Sequence, residues 1–343
     1  MDTDAAPPTN DPERARDDAE RARDDDFDDD APSDAPRGRR VWVHAALFVA
    51  TFLSVLYTGA MYAGGEEPTG LAATLRALPR GLSYAAPLMA ILVVHEFSHY
   101  FAARIHRVEA SLPYFIPLPF VSLIGTMGAV ISMRGRIKSR DAVLDIGASG
   151  PIGGLLVALP VLAYGLAHSP VKALTLHGGQ EGQSLLYLLM KRVVLGPIPD
   201  GSDVYLNPIA WAGWVGLLVT ALNLIPVGQL DGGHVAYALF GKKQDLYARW
   251  IHRGILVAFA YNVARFVGGY LLHGGEGELS TAISNSLFWL VWWGLIAGMK
   301  RMSGGVNHPR FEPGALHPAR RVVAWITLAL FVLLFMPTPF ASY

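Results

Sequence analysis

The sequence predicts an all-α, polytopic membrane protein with about six or seven transmembrane helices and a re-entrant or β-hairpin segment beside its functional centre. Three observations predict it. Of 343 residues, 52% are hydrophobic and 16% charged, against about a quarter charged in soluble domains. The charge is also uneven: residues 1–40 carry 14 of the 28 acidic and 7 of the 28 basic side chains, so a net charge of zero hides an acidic opening and a basic remainder. Several apolar runs approach the ~20 residues that cross a bilayer. The chain holds no cysteine, which excludes disulfides, thiolate metal sites and a Cys nucleophile. Any metal must be held by His and carboxylate.

Residues 1–40 have almost no apolar content and cannot repay the entropy of folding, so they read as a disordered acidic tail. Their composition fits neither a secretory signal nor an Arg-rich transit peptide, which points to a prokaryotic plasma (inner) membrane. Apolar segments at about 41–63, 82–103, 148–167, 205–226, 254–272 and 283–300, with a seventh at about 320–338, are expected as membrane helices. The apolar stretch 112–134 is different. Pro113, Pro117 and Pro119 oppose a continuous helix, and irregular backbone at membrane depth survives only against protein or a wet cavity. It reads as a re-entrant or hairpin element.

Lys and Arg set the orientation. Arg37, Arg39 and Arg40 precede the first helix, and Arg104 and Arg107 follow the second. Arg134, Arg136, Lys138 and Arg140 precede the third. Lys242, Lys243, Arg249 and Arg253 lie between the fourth and fifth, and Lys300, Arg301, Arg310, Arg320 and Arg321 between the sixth and seventh. An N-terminus in the cytoplasm puts every cluster on the cytoplasmic side and the C-terminus outside. Topology suffices to explain this basic charge, so no nucleic-acid partner is expected.

The second helix contains His95-Glu96-Phe97-Ser98-His99. Four helical residues advance by about 400°, which puts both imidazoles on one face and about 6 Å apart along the axis. That spacing lets them grip one ion, with Glu96 beside the first as general base for an activated water. A packing role for the histidines is the bland alternative. Against it, a carboxylate inside a membrane helix costs about 2.5–3.5 kcal/mol on insertion scales and marks function by default.

A catalytic zinc takes three protein ligands and keeps an open position, so a third ligand must be His, Asp or Glu. The strongest candidate is Asp231, in Asn223-Leu224-Ile225-Pro226-Val227-Gly228-Gln229-Leu230-Asp231-Gly232-Gly233-His234. By the topology above it lies on the same side as the histidine pair. The alternative is a turn in which Asp231 caps the next helix.

An HExxH pair within a membrane helix, followed some 130 residues later by Asn-x-x-Pro-x-x-x-Leu-Asp-Gly-Gly, resembles the site-2 protease family of intramembrane zinc metalloproteases. The resemblance spans about 82–240 and includes Gly147-Ala148-Ser149-Gly150-Pro151-Ile152-Gly153-Gly154, like the family's Gly-Pro-rich third core helix. It implies Zn²⁺ held by His95, His99 and Asp231, with Glu96 as base and Asn223 bonding substrate or oxyanion. It also implies that Gly125, Thr126 and Gly128 of the re-entrant segment pair with an unwound substrate by strand addition. The reaction implied is peptide-bond hydrolysis in or near the transmembrane segment of a membrane-protein substrate, expected to be single-pass.

The implied organisation is a tail at 1–40, an intramembrane protease core at 41–240 and added C-terminal helices at 241–343. Residues 168–204 are too few for the PDZ domain many bacterial members carry. Gly150 and Gly154 form a small-xxx-small pair for close helix packing. His234 is either a group supporting the metal ligands or the start of a helix. The alternative function is a transporter or metal-handling protein with the His, Glu and Asp groups along an ion path, although no internal repeat relates the two halves.

Overall fold

A computed structural model describes residues 37–62, 70–120, 122–134, 137, 139–174, 178–272, 274, 278–302 and 314–342. Residues 1–36 of the acidic opening lie outside the described residues, and its last four, 37–40, begin the first helix. The chain divides into two units, 1–42 and 43–343, and the second carries the helices and strands that build the site.

The architecture is helical. Helix α1 (Arg37–Tyr62) is followed by a short α2 (Leu71–Ala77) and a 3₁₀ turn that leads into α3 (Leu82–Ile105). Four two-residue to five-residue strands come next: β1 (Glu109–Ala110), β2 (Tyr114–Pro117), β3 (Thr126–Val130) and β4 (Met133–Arg134). Helix α4 (Arg140–Ala167) is the longest at 28 residues. After it come β5 (Val171–Ala173), β6 (Gly179–Glu181), α5 (Leu185–Leu195), β7 (Ser202–Val204) and α6 (Pro208–Asn223). The chain continues through α7 (Asp231–Phe240), α8 (Gln244–Asn262), a π-helical turn at Val263–Gly268, α9 (Gly269–Leu272), α10 (Leu279–Ser286), α11 (Phe288–Met302), α12 (Pro318–Leu334) and β8 (Phe340–Ser342).

Among the described residues four helical stretches are long and apolar enough to cross a membrane: Val41–Tyr62, Leu71–Ile105, Arg140–Ala167 and Asp231–Leu272. The α10–α11 pair, bent by 41°, makes a fifth if it is one span. The six or seven expected are therefore not all met by length. At 16 and 17 residues, α6 and α12 fall short of the ~20 a bilayer needs. Asn207 and Pro208 start α6 later than its apolar run begins. The Asn207 side chain accepts from the Ala210 amide at 2.9 Å, and Pro208 occupies the first turn, where its missing N–H costs nothing.

Helix α4 begins well before the expected residue 148. Ser139 caps it by accepting from the Ala142 amide at 3.1 Å, with Asp141 in the first turn. The charges at 140–145 hid this turn from an apolar count.

The proline-rich stretch is a hairpin. Tyr114, Phe115 and Ile116 of β2 face Val130, Ala129 and Gly128 of β3, antiparallel, with a bulge before Pro117. It docks on α1 and on the start of α3. Ser54 Oγ donates to the Gly125 carbonyl at 2.5 Å, and Tyr84 OH to that of Ile124 at 3.2 Å. Phe115, 3% exposed, joins the main apolar core with Val55, Leu88 and Leu92.

Short strands and a helix that the sequence did not announce lie among the described residues between 168 and 204. β5 pairs with β7, and β6 pairs with β8 from the far end of the chain. Ser184 caps α5, whose Lys191 is buried between Glu181 and Asp203. Tyr187 OH donates to Glu181 Oε1 at 2.8 Å. Burial raises the Glu181 carboxyl above its usual range, partly offset by this hydrogen bond and by Lys191. A carboxyl raised in the folded state contributes its full stability below its unfolded value and loses it as pH rises through the folded one. Glu181→Gln is therefore expected to melt at a higher temperature than the wild type at pH 8. The gap should close towards pH 4, read by thermal unfolding at both.

Candidate metal centre

Helix α3 brings the first two ligand candidates together by its own pitch. His95 and Glu96 are 3% and 6% exposed, and the His95 and His99 ring centres lie 5.0 Å apart. Their Nε2 atoms are separated by 3.3 Å.

The third comes from the turn between α6 and α7. Asp231 is the first residue of α7, but Leu230 occupies the capping position and no side chain caps that helix. The Asp231 carboxylate instead reaches across to α3. Its Oδ2 lies 3.2 Å from His95 Nε2 and its Oδ1 3.3 Å from His99 Nε2. Gly232 makes this turn possible, since a Cβ there would sit 2.0 Å from the Leu224 carbonyl oxygen.

This triangle suits a metal. Ligands about 2.0–2.1 Å from a tetrahedral zinc lie about 3.3 Å from one another. The two Nε2 atoms are 3.3 Å apart, the carboxylate sets one oxygen 3.2 Å from His95 and the other 3.3 Å from His99, and one ligand atom from each residue lies within 4.8 Å of the others. Protonation supports the fit. His99 Nδ1 lies 2.7 Å from the Ile146 carbonyl, which can only accept, so Nδ1 carries a proton. In the neutral ring Nε2 then turns a lone pair towards the Asp231 carboxylate, and a cation between them relieves that repulsion. Among the described residues these three side chains are the one such group close enough to share an ion.

Helix α4 closes the back of the site through its glycines. A Cβ on Gly150 would lie 2.0 Å from His99 Nε2, and one on Gly154 would lie 3.1 Å from His95 Nδ1. The small-residue pair thus does more than pack two helices: it lets α4 lie flush against both histidines. The Ile146 carbonyl also accepts from Ser149 Oγ at 2.8 Å. As a backbone acceptor it has no sequence signature, and the sequence reading missed it.

Asn223, the last residue of α6, has Nδ2 3.3 Å from His95 Nε2. Among the described residues none hydrogen-bonds the Glu96 carboxylate, so its oxygens are uncommitted. His234 is half-buried, with its Cβ 2.8 Å from where a Gly147 Cβ would be.

The hairpin residues lie elsewhere in the contact network. Gly125 and Gly128 have φ of +82° and +97°. Thr126 is 2% exposed, donates to the Ile116 carbonyl at 2.8 Å and accepts from the Gly128 amide at 2.9 Å. Among the described residues no hydrogen bond joins 125, 126 or 128 to the three metal-facing side chains.

A family described as peptidase family M50 matches residues 83–261, slightly more than half of the chain. Among curated proteins the chain is 33% identical over 172 residues to a probable zinc metalloprotease EGY2, chloroplastic, of Oryza sativa subsp. indica. That match covers 49% of this chain and 31% of the relative. It is 32% identical over 187 residues to a probable zinc metalloprotease EGY1, chloroplastic, of Arabidopsis thaliana, covering 51% and 33%. The chain thus spans about a third of the length of these relatives. No solved structure matches it.

Proposed function

The chain belongs to peptidase family M50, and from that premise we propose that it is a zinc metalloendopeptidase. It hydrolyses a peptide bond within or near the transmembrane segment of a membrane protein. The observation that carries this reading is the convergence of His95, His99 and Asp231, whose ligand atoms lie within 4.8 Å of one another, close enough to share one ion. The names of its relatives support the same metal and reaction class. The transporter alternative drew on the same side chains, and the family does not favour it.

In this reading His95, His99 and Asp231 hold zinc. The ion supplies Lewis acidity, which polarises the scissile carbonyl and makes water a better nucleophile. Glu96 takes a proton from the attacking water and returns it to the leaving amine. Asn223, beside His95, donates to the carbonyl oxygen of the substrate as negative charge develops there. A transmembrane helix shields its own peptide bonds, so the substrate must unwind first. Among the described residues β3 pairs with β2 alone, and strand addition beside Gly125, Thr126 and Gly128 is our proposed means of holding the unwound segment.

The substrate class is a membrane protein, single-pass in our proposal, presented from the bilayer. We also propose that α6 and α12 cross despite their length, so the chain runs from a cytoplasmic N-terminus to an outer C-terminus. The β6–β8 pairing supports this, since both strands then lie outside. Residues 41–240 form the protease core and 241–343 an addition to it. We propose a prokaryotic plasma membrane as the location. The relatives are named chloroplastic, so a plastid membrane is the competitor, and fractionation of the native cells decides between them.

Zinc analysis of the purified full chain tests the core claim. One zinc per chain is expected, with cleavage lost to a chelator and restored by added Zn²⁺. Asp231→Ala should lower zinc affinity more than about 100-fold, beyond the 10–100-fold typical of residues that only orient ligands. Undiminished zinc content in that variant rules Asp231 out as a ligand.

A further inference from the structure

The ends of three helices meet near the candidate metal centre, and one guanidinium ties them. Arg320, in the first turn of α12, donates from Nε to both carboxylate oxygens of Asp145 at 2.9 and 3.0 Å. Its Nη2 reaches Asp145 Oδ2 at 2.7 Å and its Nη1 reaches Asp141 Oδ2 at 3.1 Å. His106, just past the end of α3, has Nε2 2.8 Å from the same Asp145 Oδ2. The His317 amide, preceding α12, donates to Asp141 Oδ1 at 3.1 Å.

Beneath these bonds lies a small apolar core that draws on each ligand-bearing helix. It contains Ala103 of α3, Ile146 of α4, Val235 of α7 and Ala324 of α12, with exposures of 1%, 3%, 0% and 0%. Asp145 immediately precedes Ile146, whose carbonyl receives the His99 Nδ1 proton. A helix cannot turn one residue without turning the next. Fixing the Asp145 side chain to α12 and to the end of α3 therefore fixes the rotation of α4, and with it the direction of the Ile146 carbonyl.

We infer that Arg320 is a positioning residue for the metal centre: through Asp145 it holds the α4 backbone at Ile146, which sets the ring orientation of His99. The inference rests on the reading of His95, His99 and Asp231 as zinc ligands. It gives a role to α12, which lies outside the segment 83–261 matched by the family. Isolated surface ion pairs contribute little, but a planar guanidinium bound to one carboxylate through several donors is geometrically demanding. Lysine cannot reproduce that fork.

The test is zinc affinity of the full chain in detergent, measured by competition with a chromophoric chelator. Arg320→Ala and Arg320→Gln are expected to weaken zinc binding about 10–100-fold, as losses of ligand-orienting groups do, and Arg320→Lys by less. Val322→Ala, on the exposed side of α12, should bind as the wild type does. Cobalt substitution adds a readout that a purely structural role would not move. The visible d–d band of the Arg320→Gln protein should change in position or intensity, while metal-free melting stays within a few degrees of the wild type. Unchanged affinity in Arg320→Ala overturns the inference and leaves the zinc reading intact. So does failure of all three Arg320 variants to fold without metal, which would make Arg320 a residue of the fold alone. A wild-type chain that binds no zinc overturns the ligand assignment and this inference with it.

Discussion

Glu96→Gln is expected to lower the cleavage rate by about 10²–10⁴-fold, the usual contribution of a positioned general base, while one zinc per chain remains bound. Glutamine keeps the size and shape of the side chain but cannot take a proton from water. Glu96 sits one residue from His95 on α3, is 6% exposed, and is not one of the three side chains grouped closely enough to share an ion. The substitution therefore leaves all three metal-facing groups where they are. Cleavage of a labelled transmembrane peptide in proteoliposomes and atomic absorption on the same preparation read the two quantities together. Cleavage at the wild-type rate would remove Glu96 from the mechanism. Loss of zinc would show that it acts on the metal site and not on the proton. The same inactive variant, expressed in native cells, should hold uncleaved single-pass proteins that the wild type releases.

Gly150→Ala should be nearly as damaging although it adds one methyl group. The new Cβ would fall 2.0 Å from His99 Nε2, less than any real non-bonded contact. The obstacle is the nitrogen that faces the ion, not the free end of a flexible chain. His99 must swing aside, breaking its bond to the Ile146 carbonyl, or α4 must retreat and lose its fit to α3. Either response is expected to cost more than about 100-fold in zinc affinity, beyond the range of changes that only disturb ligand orientation. Helical content should not fall, because alanine is the better helix former by roughly 1 kcal/mol. Gly254→Ala, where nothing lies within 4 Å of the added carbon, is the control and should bind zinc normally. Zinc titration with circular dichroism on both proteins decides it. Normal binding by the Gly150 variant would mean that α4 does not wall the site.

The features legible in the sequence were those that rest on periodicity or on the cost of burial. Two histidines at helical spacing in an apolar run pointed to a shared face, and the structure brings their Nε2 atoms to 3.3 Å. Asp231 was legible as a candidate because charge placed its turn on the same side, and it stands opposite both histidines. Three prolines ruled out a helix at 112–134, although only the backbone reveals the register of β2 on β3. Membrane spans were less legible. Apolar composition continues past the ends of α6, where Asn207 caps one end and the turn before Asp231 closes the other, so counting apolar residues overstates its length. Least legible was everything held by distant pairing. Strand β6 depends on a partner far along the chain, and the tie from Arg320 to Asp145 unites charges that the sequence presents as a loop arginine and an ordinary acid.

The pairing of β6 with β8 bears on the order in which the protein can be made. Residues 179–181 leave the ribosome long before residues 340–342, and synthesis at about 5–20 residues per second leaves β6 waiting for roughly 10–30 seconds without its partner. The other bonds at that surface wait too, since the Asn262 amide and the Trp289 indole both donate to the Pro337 carbonyl at 2.8 Å. The β6 edge is thus closed by the segment that emerges later, and the nascent chain presents an open strand edge in the meantime. During that interval an insertion factor or chaperone has a defined edge to cover, and β8 would displace it when it arrives.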